Sequence, residues 1–335
     1  MNLVNLMKQK HLGRNGPAVS AIGLGCMRMS RMAAPVDPAK DAESIATIQS
    51  AIDQGISYLD TGDFYGMGHN EALVGHAIKG RRDEVFLSVK FGAMFSPSPQ
   101  FLGHEGRPAA VKNFATYSLQ RLGVDVIDLY QPGRPDPGVP YEETIGAIAD
   151  LIQEGKVRYL GVSEVGAENL RKAHSVHPVT ALEIEYSLAC RFAEHEILPA
   201  ARELGVGVVP YRVLGDGLLT GALTAEVANP DPRFARSRLQ GENRRRNVAA
   251  VAPFLEMAKG KDVAPAALAL AWLLSRGEDI VPIVSINRRA RIPETLAAMD
   301  IDLSGEELAA LDTMLPPGAI IGDRYLPALQ EISAR

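Results

Sequence analysis

The sequence is poor in cysteine, with only Cys26 and Cys190 in 335 residues. Two thiols cannot build the disulfide framework of a small secreted domain, and their scarcity fits a reducing compartment. Metal-ligand clusters are missing as well: His69, His76 and His104 are not spaced as a metal site, and no Cys/His cluster exists. Long apolar runs are absent. Met1–Lys10 carries no apolar stretch of signal-peptide length. The longest near-apolar stretch, Val263–Leu274, contains Pro265 and is too short to cross a bilayer, so it reads as a buried helix. The expected location is therefore the cytoplasm, with no membrane partner. A formal net charge of −5 argues against nucleic acid as a partner too. The run Arg244-Arg245-Arg246 reads as a solvated helix start. No G-x-S-x-G elbow suggests a serine triad, and no G-x-G-x-x-G follows the first strand-like run.

What the chain does have is an alternation. Short apolar runs occur at Ala21–Leu24, Ile56–Leu59, Val85–Val89, Val126–Leu129, Tyr159–Val162, Ala181–Ile184, Val206–Pro210 and Ile280–Ile283. They are mostly continuous rather than alternating, as strands buried on both faces should be. Helical patterns lie between them: Asp41–Gln54, Glu71–Lys79, Pro108–Leu122, Tyr141–Glu154, Asn169–Ser175, Ala193–Leu204 and Asn243–Lys259, followed by Ala264–Ser275 and Ser304–Met314. Several end at a glycine (Gly55, Gly80, Gly123, Gly155, Gly205), the residue favoured just past a helix end. Such repetition predicts a closed parallel (β/α)8 TIM barrel, with an open doubly wound sheet as the alternative. The turn Asn15-Gly16-Pro17 within His11–Ser20 predicts an N-terminal hairpin plugging the barrel bottom. Two long loops, Gly92–Arg107 and Leu214–Gly241, follow barrel strands and belong on the catalytic face.

Barrel active sites lie at the C-terminal ends of the strands. The second strand is followed by Asp60-Thr61-Gly62-Asp63-Phe64-Tyr65-Gly66, the third by Lys90, and the fourth by Asp128-Leu129-Tyr130-Gln131. Neighbouring strands bring Asp60, Tyr65 and Lys90 together. A free phenol titrates near 10, too high for a good acid and base near neutrality. A lysine ammonium beside it favours the phenolate, and a carboxylate fixes the ammonium. Such a tyrosine can protonate a carbonyl oxygen as hydride arrives at carbon. On spacing alone, a structural Asp–Lys pair with an unrelated surface tyrosine competes with this reading.

The sequence resembles the aldo-keto reductases along nearly its whole length. The matching segments include Gly23-Leu24-Gly25-Cys26-Met27, Leu59-Asp60-Thr61-Gly62-Asp63-Phe64-Tyr65-Gly66, Lys90-Phe91-Gly92, Asp128-Leu129-Tyr130-Gln131 and Gly155–Ser163. Glu185-Tyr186-Ser187-Leu188 and Gly217-Leu218-Leu219-Thr220-Gly221 also match, and Gly322-Asp323-Arg324-Tyr325 is similar to the tail of the bacterial and plant branch. The resemblance implies one domain over residues 1–335, NADP(H) as cofactor, and reduction of a small aldehyde or ketone. It implies Tyr65 as general acid/base, Lys90 tuning it and Asp60 supporting Lys90. It places Gly25, Cys26, Met27 and Asp60 among the cofactor contacts. Tyr211 should stack on the nicotinamide, Ser163 should bond its carboxamide, and backbone from Leu214 through Gly217 and Leu219 to Gly221 should wrap the pyrophosphate. Ser285, Arg291 and Glu294 should meet the adenine end, with Arg291 reaching the 2′-phosphate and Arg288 and Arg289 close by. The composition favours neither a monomer nor a homo-oligomer.

Departures from the family pattern are specific. Gly133 stands where the family has a histidine, leaving room for a substrate group or water, so Tyr65 is expected to act alone as acid. Glu164 replaces an asparagine and Glu183 a glutamine, both facing the carboxamide; a carboxylate accepts hydrogen bonds but cannot donate unless protonated. Arg212 replaces a small serine and is expected at phosphate, with a pair to Glu183 as the alternative. Arg28 replaces a glycine near the pocket mouth, where an acidic substrate group or plain surface exposure would explain it. Cys26 reads as packing. Two other functions compete: an NADP-binding sensor or regulatory subunit with little turnover, and an alcohol or sugar dehydrogenase working oxidatively.

Overall fold

The computed structural model describes residues 7–30, 37–98, 100–225 and 237–334. Its N-terminal hairpin, β1 (Gln9–His11) and β2 (Ala18–Ser20), is antiparallel. The barrel strands follow: β3 (Gly23–Gly25), β4 (Tyr58–Gly62) and β5 (Phe86–Phe91). A small antiparallel pair, β6 (Ala93–Phe95) and β7 (Phe101–His104), stands in the long loop after β5. Then come β8 (Ile127–Pro132), β9 (Val157–Ser163), β10 (Val179–Glu185), β11 (Gly207–Tyr211) and β12 (Ile283–Val284). The parallel sheet runs β11-β10-β9-β8-β5-β4-β3-β12. A parallel bridge between Val208 and Ile280 closes the ring, with Val208 N–H donating to Asp279 O at 2.8 Å and Val281 N–H to Val208 O at 2.9 Å.

Strand alternation sorts the side chains into two cores. Leu24, Leu59, Leu87, Val89, Tyr130, Leu182, Ile184 and Val208 face the surrounding helices. Tyr58, Phe86, Leu129, Ala181, Val209 and Val281 form a separate lumen layer, capped by Leu12 and Val19 of the hairpin segment. The predicted plug is therefore present. Two residues further along each strand, the same inward phase carries Asp60, Ser88, Gln131, Glu183 and Tyr211. An apolar floor thus lies directly under the polar site.

The helices are α1 (Pro38–Asp53), α2 (His69–Ala77), α3 (Pro108–Leu122), α4 (Tyr141–Gln153), α5 (Ala167–Val176) and α6 (Ile197–Leu204). They continue as α7 (Gly241–Ala250), α8 (Ala252–Gly260), α9 (Pro265–Leu274), α10 (Ile292–Leu296), α11 (Gly305–Met314) and the short α12 (Pro327–Gln330). Asn243–Lys259, expected as one helix, is two, because Pro253 sits in the first turn of α8 and has no N–H for a continuing helix. The arginine run is not uniformly solvated. Arg244 is buried and its Nε donates to Thr224 O at 2.8 Å, while Arg245 and Arg246 are exposed. Part of the expected loop Leu214–Gly241, residues 226–236, lies outside the described residues. Among the described residues no helix is long and apolar enough to cross a membrane.

The plug depends on Gly13, which has φ +72° and whose missing β-carbon would lie 2.4 Å from Gly205 O. Gly13→Ala should destabilise the fold by ~1–3 kcal/mol, through left-handed strain and displacement of the hairpin from the barrel floor. Urea unfolding would measure this; an unchanged midpoint would contradict the tight seating.

Candidate active site

The inward layer above the apolar floor centres on Lys90. The register of β4, β5 and β8 pairs Gly62 with Lys90 and Lys90 with Gln131, so these side chains share one level of the barrel. Lys90 Nζ donates to Asp60 Oδ1 and Oδ2 at 2.6 Å each, and to Glu183 Oε1 and Oε2 at 3.0 and 2.9 Å. Gln131 Nε2 donates to Glu183 Oε2 at 2.7 Å and to Ser88 Oγ at 3.2 Å, and Ser88 Oγ donates to Asp60 Oδ2 at 3.2 Å. All of these groups are buried, with Lys90 4% and Asp60 2% exposed.

Tyr65 is buried against this cluster, its ring centroid 5.5 Å from Lys90 Nζ. Phe64 meets it edge-on at 4.8 Å between centroids. From the sequence, Lys90 is expected to lower the phenol's pKa. The net direction is upward: burial raises it, Lys90 opposes, and Asp60 and Glu183 add to the rise. Burial would depress the Lys90 ammonium, but the two carboxylates outweigh it and hold it well above the ordinary lysine range. Asp60 is raised by burial and by the Glu183 charge, against the pull of Lys90.

Gly133 leaves less room than its small size suggests. A β-carbon there would lie 3.3 Å from the Phe64 ring and 3.4 Å from Phe91 O, so Phe64 flanks the position. The next residue, Arg134, is half-buried and donates to Gly133 O at 2.5 Å, Ser333 Oγ at 3.0 Å and Tyr325 Oη at 2.8 Å.

The expected carboxamide side carries a second charged cluster. Arg324 Nη2 donates to both Glu164 oxygens at 2.6 Å, and its Nε to Glu185 Oε2 at 3.0 Å. Arg212 reaches Glu185 Oε2 at 3.0 Å, and Arg238 reaches Glu185 Oε1 at 3.1 Å. Arg212 is thus paired with Glu185, not with Glu183. Burial would raise the Glu185 carboxyl, but the three arginines hold it at about 2. Tyr211 Oη donates to Glu164 Oε1 at 2.9 Å and meets the Tyr325 hydroxyl. Glu164 and Arg212, which follow the ends of β9 and β11, both have left-handed backbone, φ +53° and +50°. Such strain is held only where surrounding contacts fix it, and here it turns both side chains into the arginine–glutamate cluster.

The other sequence candidates are distributed around the barrel mouth. Gly25 is the register partner of Asp60, and Cys26 is buried with its N–H on Asp60 O at 2.9 Å. Met27 and Arg28 are exposed, whereas Ser163 is buried beside Glu183 in register. Gly215, Asp216, Gly217 and Gly221 all have positive φ in the turn after β11, around Leu214 and the buried Leu219. Ser285, Arg288 and Arg291 are exposed just before α10, Glu294 lies in its first turn, and Arg289 pairs with Glu43 at 2.9 Å. Among the described residues no group of His, Cys, Asp or Glu could hold a metal ion.

Sequence reasoning missed Ser88, Arg134, Arg324 and Tyr325 as members of the site. Ser88 was legible as the inward neighbour of Lys90 on β5. The tail residues bear on it only through three-dimensional return of the chain. Arg324→Leu should leave Glu164 buried without its guanidinium and cost ~3–5 kcal/mol. Arg324→Lys should recover only part, since an ammonium cannot reproduce the fork. Thermal unfolding of both variants would check this order; an Arg324→Leu variant as stable as the wild type would contradict it.

Residues 21–316 match the aldo/keto reductase family. The chain is 39% identical over 324 residues to probable aldo-keto reductase 1 of Glycine max, covering 96% of this chain and 93% of that one. The glycerol dehydrogenase AKR11B4 from Gluconobacter oxydans superposes with TM-score 0.83 at 26% identity, covering 97% of this chain and 98% of that one. The thermostable aldo-keto reductase Tm1743, solved with the inhibitor epalrestat, superposes with TM-score 0.75 at 29% identity, over 92% of this chain and all (100%) of that one. An aldo/keto reductase from Klebsiella pneumoniae, solved with NADP and acetate, superposes with TM-score 0.73 at 29% identity, over 92% and 96% of the two chains.

Proposed function

The chain belongs to the aldo/keto reductase family of NADP-dependent oxidoreductases, and from that premise we propose that it reduces aldehydes or ketones with NADPH, Tyr65 supplying the proton. The observation that carries this reading is the buried Tyr65 phenol beside an ammonium that two carboxylates hold in place. We read residues 1–335 as one barrel domain with one such site.

Residues at the phosphate end fit a phosphorylated dinucleotide. Backbone in left-handed conformation from Gly215 to Gly217 lets main chain approach a ligand closely. Arg288 and Arg291 are exposed and make no ion pair among the described residues, which suits a dianionic 2′-phosphate. At the other end, Ser163 and the Tyr211 ring are the proposed nicotinamide contacts, with Gly25, Cys26, Met27 and Asp60 beside them and Ser285 and Glu294 toward adenine. Glu164 is engaged by Arg324 and Tyr211, so its spare acceptor capacity is what remains for a carboxamide NH2. Arg212, held by Glu185, serves this end as a supporting cation.

When bound, NADPH supplies the hydride to the carbonyl carbon. Tyr65 gives its proton to the carbonyl oxygen, and Lys90 stabilises the phenolate left behind until water reprotonates it. Gly133 has no side chain to donate, so the proton is assigned to Tyr65 alone. Near neutrality Tyr65 is a phenol, the form that reduction needs; burial raises its proton affinity, and the Lys90 ammonium opposes that rise by stabilising the phenolate formed as the proton leaves. The likeness to a glycerol dehydrogenase raises the oxidative direction; that direction needs the phenolate and should prevail only at alkaline pH.

Tyr65→Phe should lower NADPH-dependent turnover of aldehydes by ~100- to 10,000-fold while cofactor binding persists. NADPH consumption and fluorescence titration give the two readouts; sustained turnover would overturn the proton role. A binding-only protein would instead quench NADPH fluorescence without consuming it against any aldehyde or ketone. Arg291→Ala should weaken NADPH binding by ~10- to 100-fold and leave NADH unchanged. Equal weakening of both would remove Arg291 from the 2′-phosphate.

A further inference from the structure

Lys90 is shared, and the sharing has chemical consequences. Its ammonium carries three hydrogens, and four carboxylate oxygens, two from Asp60 and two from Glu183, lie within 3.0 Å of Nζ. Glu183 is not a stray neighbour. Gln131 clamps its Oε2 at 2.7 Å, and the β9–β10 register fixes its level beside Ser163. The cluster contains one cation and two carboxyl groups in a buried space.

We propose that Glu183 is a positioning residue for Tyr65: as a second counter-ion it draws the Lys90 ammonium away from full service to the phenol and keeps Tyr65 protonated. This rests on the reading of Tyr65 as the proton donor. A glutamine at this place could accept from Lys90 and Gln131 with nearly the same shape but no charge. Lys90 would then answer to Asp60 alone, and its surplus positive field would fall on Tyr65.

The other titratable or charged groups facing the cluster are few. Cys26 and Tyr58 lie beside Asp60, and Arg134 after β8 feels Glu183 and Glu164. Burial pushes the Cys26 thiol and the Tyr58 phenol upward, as it does Tyr65, and the Tyr65→Phe background subtracts their contribution. Burial opposes the charge on Arg134, yet it remains a cation throughout. The phenolate signal that distinguishes the protein from its Tyr65→Phe variant belongs to Tyr65. Burial and the Lys90, Asp60 and Glu183 charges all act on Tyr65, and the Glu183 charge acts to raise it.

The test is Glu183→Gln in the full-length protein. Phenolate formation at Tyr65, read as ultraviolet difference absorbance against a Tyr65→Phe background, should move down by on the order of one pH unit or more. The alkaline fall of the reductive rate should move by the same amount. Glu183→Ala removes the charge without needing a new partner, so it carries the same expected shift if the glutamine variant does not fold. An unmoved phenolate titration in a folded variant overturns the proposal. Turnover persisting in Tyr65→Phe overturns the proton-donor reading instead, and the phenolate titration still decides the role of Glu183.

Discussion

The site depends on one constraint: a lysine ammonium buried between two carboxylates at the top of an apolar barrel floor. In such surroundings an unpaired charge costs several kcal/mol, so each member is held by the others and none can leave alone. Strand alternation supplies the arrangement. The residues that seal the lumen, Tyr58, Phe86, Leu129 and Ala181, fix the phase that then delivers Asp60, Ser88, Gln131 and Glu183 one step higher. The hairpin plug, the closing bridge at Val208 and the packed floor all act upward on that level. Under the proposed reading of Tyr65 as proton donor, this charge balance rather than any single neighbour governs the phenol.

The second charged cluster extends the same logic toward the chain's end. Glu164 and Glu185 stand at the mouth of the barrel, and Arg324 returns from the tail to bind both. Arg134, which follows Gly133, ties to the same tail through Tyr325 and Ser333. The tail thereby becomes a wall of the site. Phe64 flanks Gly133, with its ring 3.3 Å from where a β-carbon would lie.

Much of this was legible in the sequence, and the parts that were not have physical reasons. Continuous apolar runs announced strands buried on both faces, and Asn15-Gly16-Pro17 announced the plug. Asp60, Tyr65 and Lys90 could be placed together because neighbouring strands fix their distance. The pairing of Glu183 with Lys90 could not, because β10 reaches the cluster from across the lumen, and periodicity says nothing about which inward side chains meet. The same holds for Arg212, whose left-handed backbone turns it to Glu185 rather than to Glu183. The direction of the Tyr65 shift was hidden for a second reason as well: burial of the phenol, the largest cause, is not visible in spacing, and the Asp60 and Glu183 charges add to it against Lys90. Pro253 is visible in the sequence, but the helical pattern on both sides of it hides the break between α7 and α8.

The most direct measurement uses NADPH carrying deuterium at its transferable position, the full-length protein and an aromatic aldehyde. The expected result is alcohol with one deuterium on the carbinol carbon for each NADPH consumed, its hydroxyl hydrogen drawn from water by way of Tyr65. Alcohol whose carbinol hydrogen comes from solvent, or NADPH bound but never consumed across aldehydes and ketones, would contradict the account.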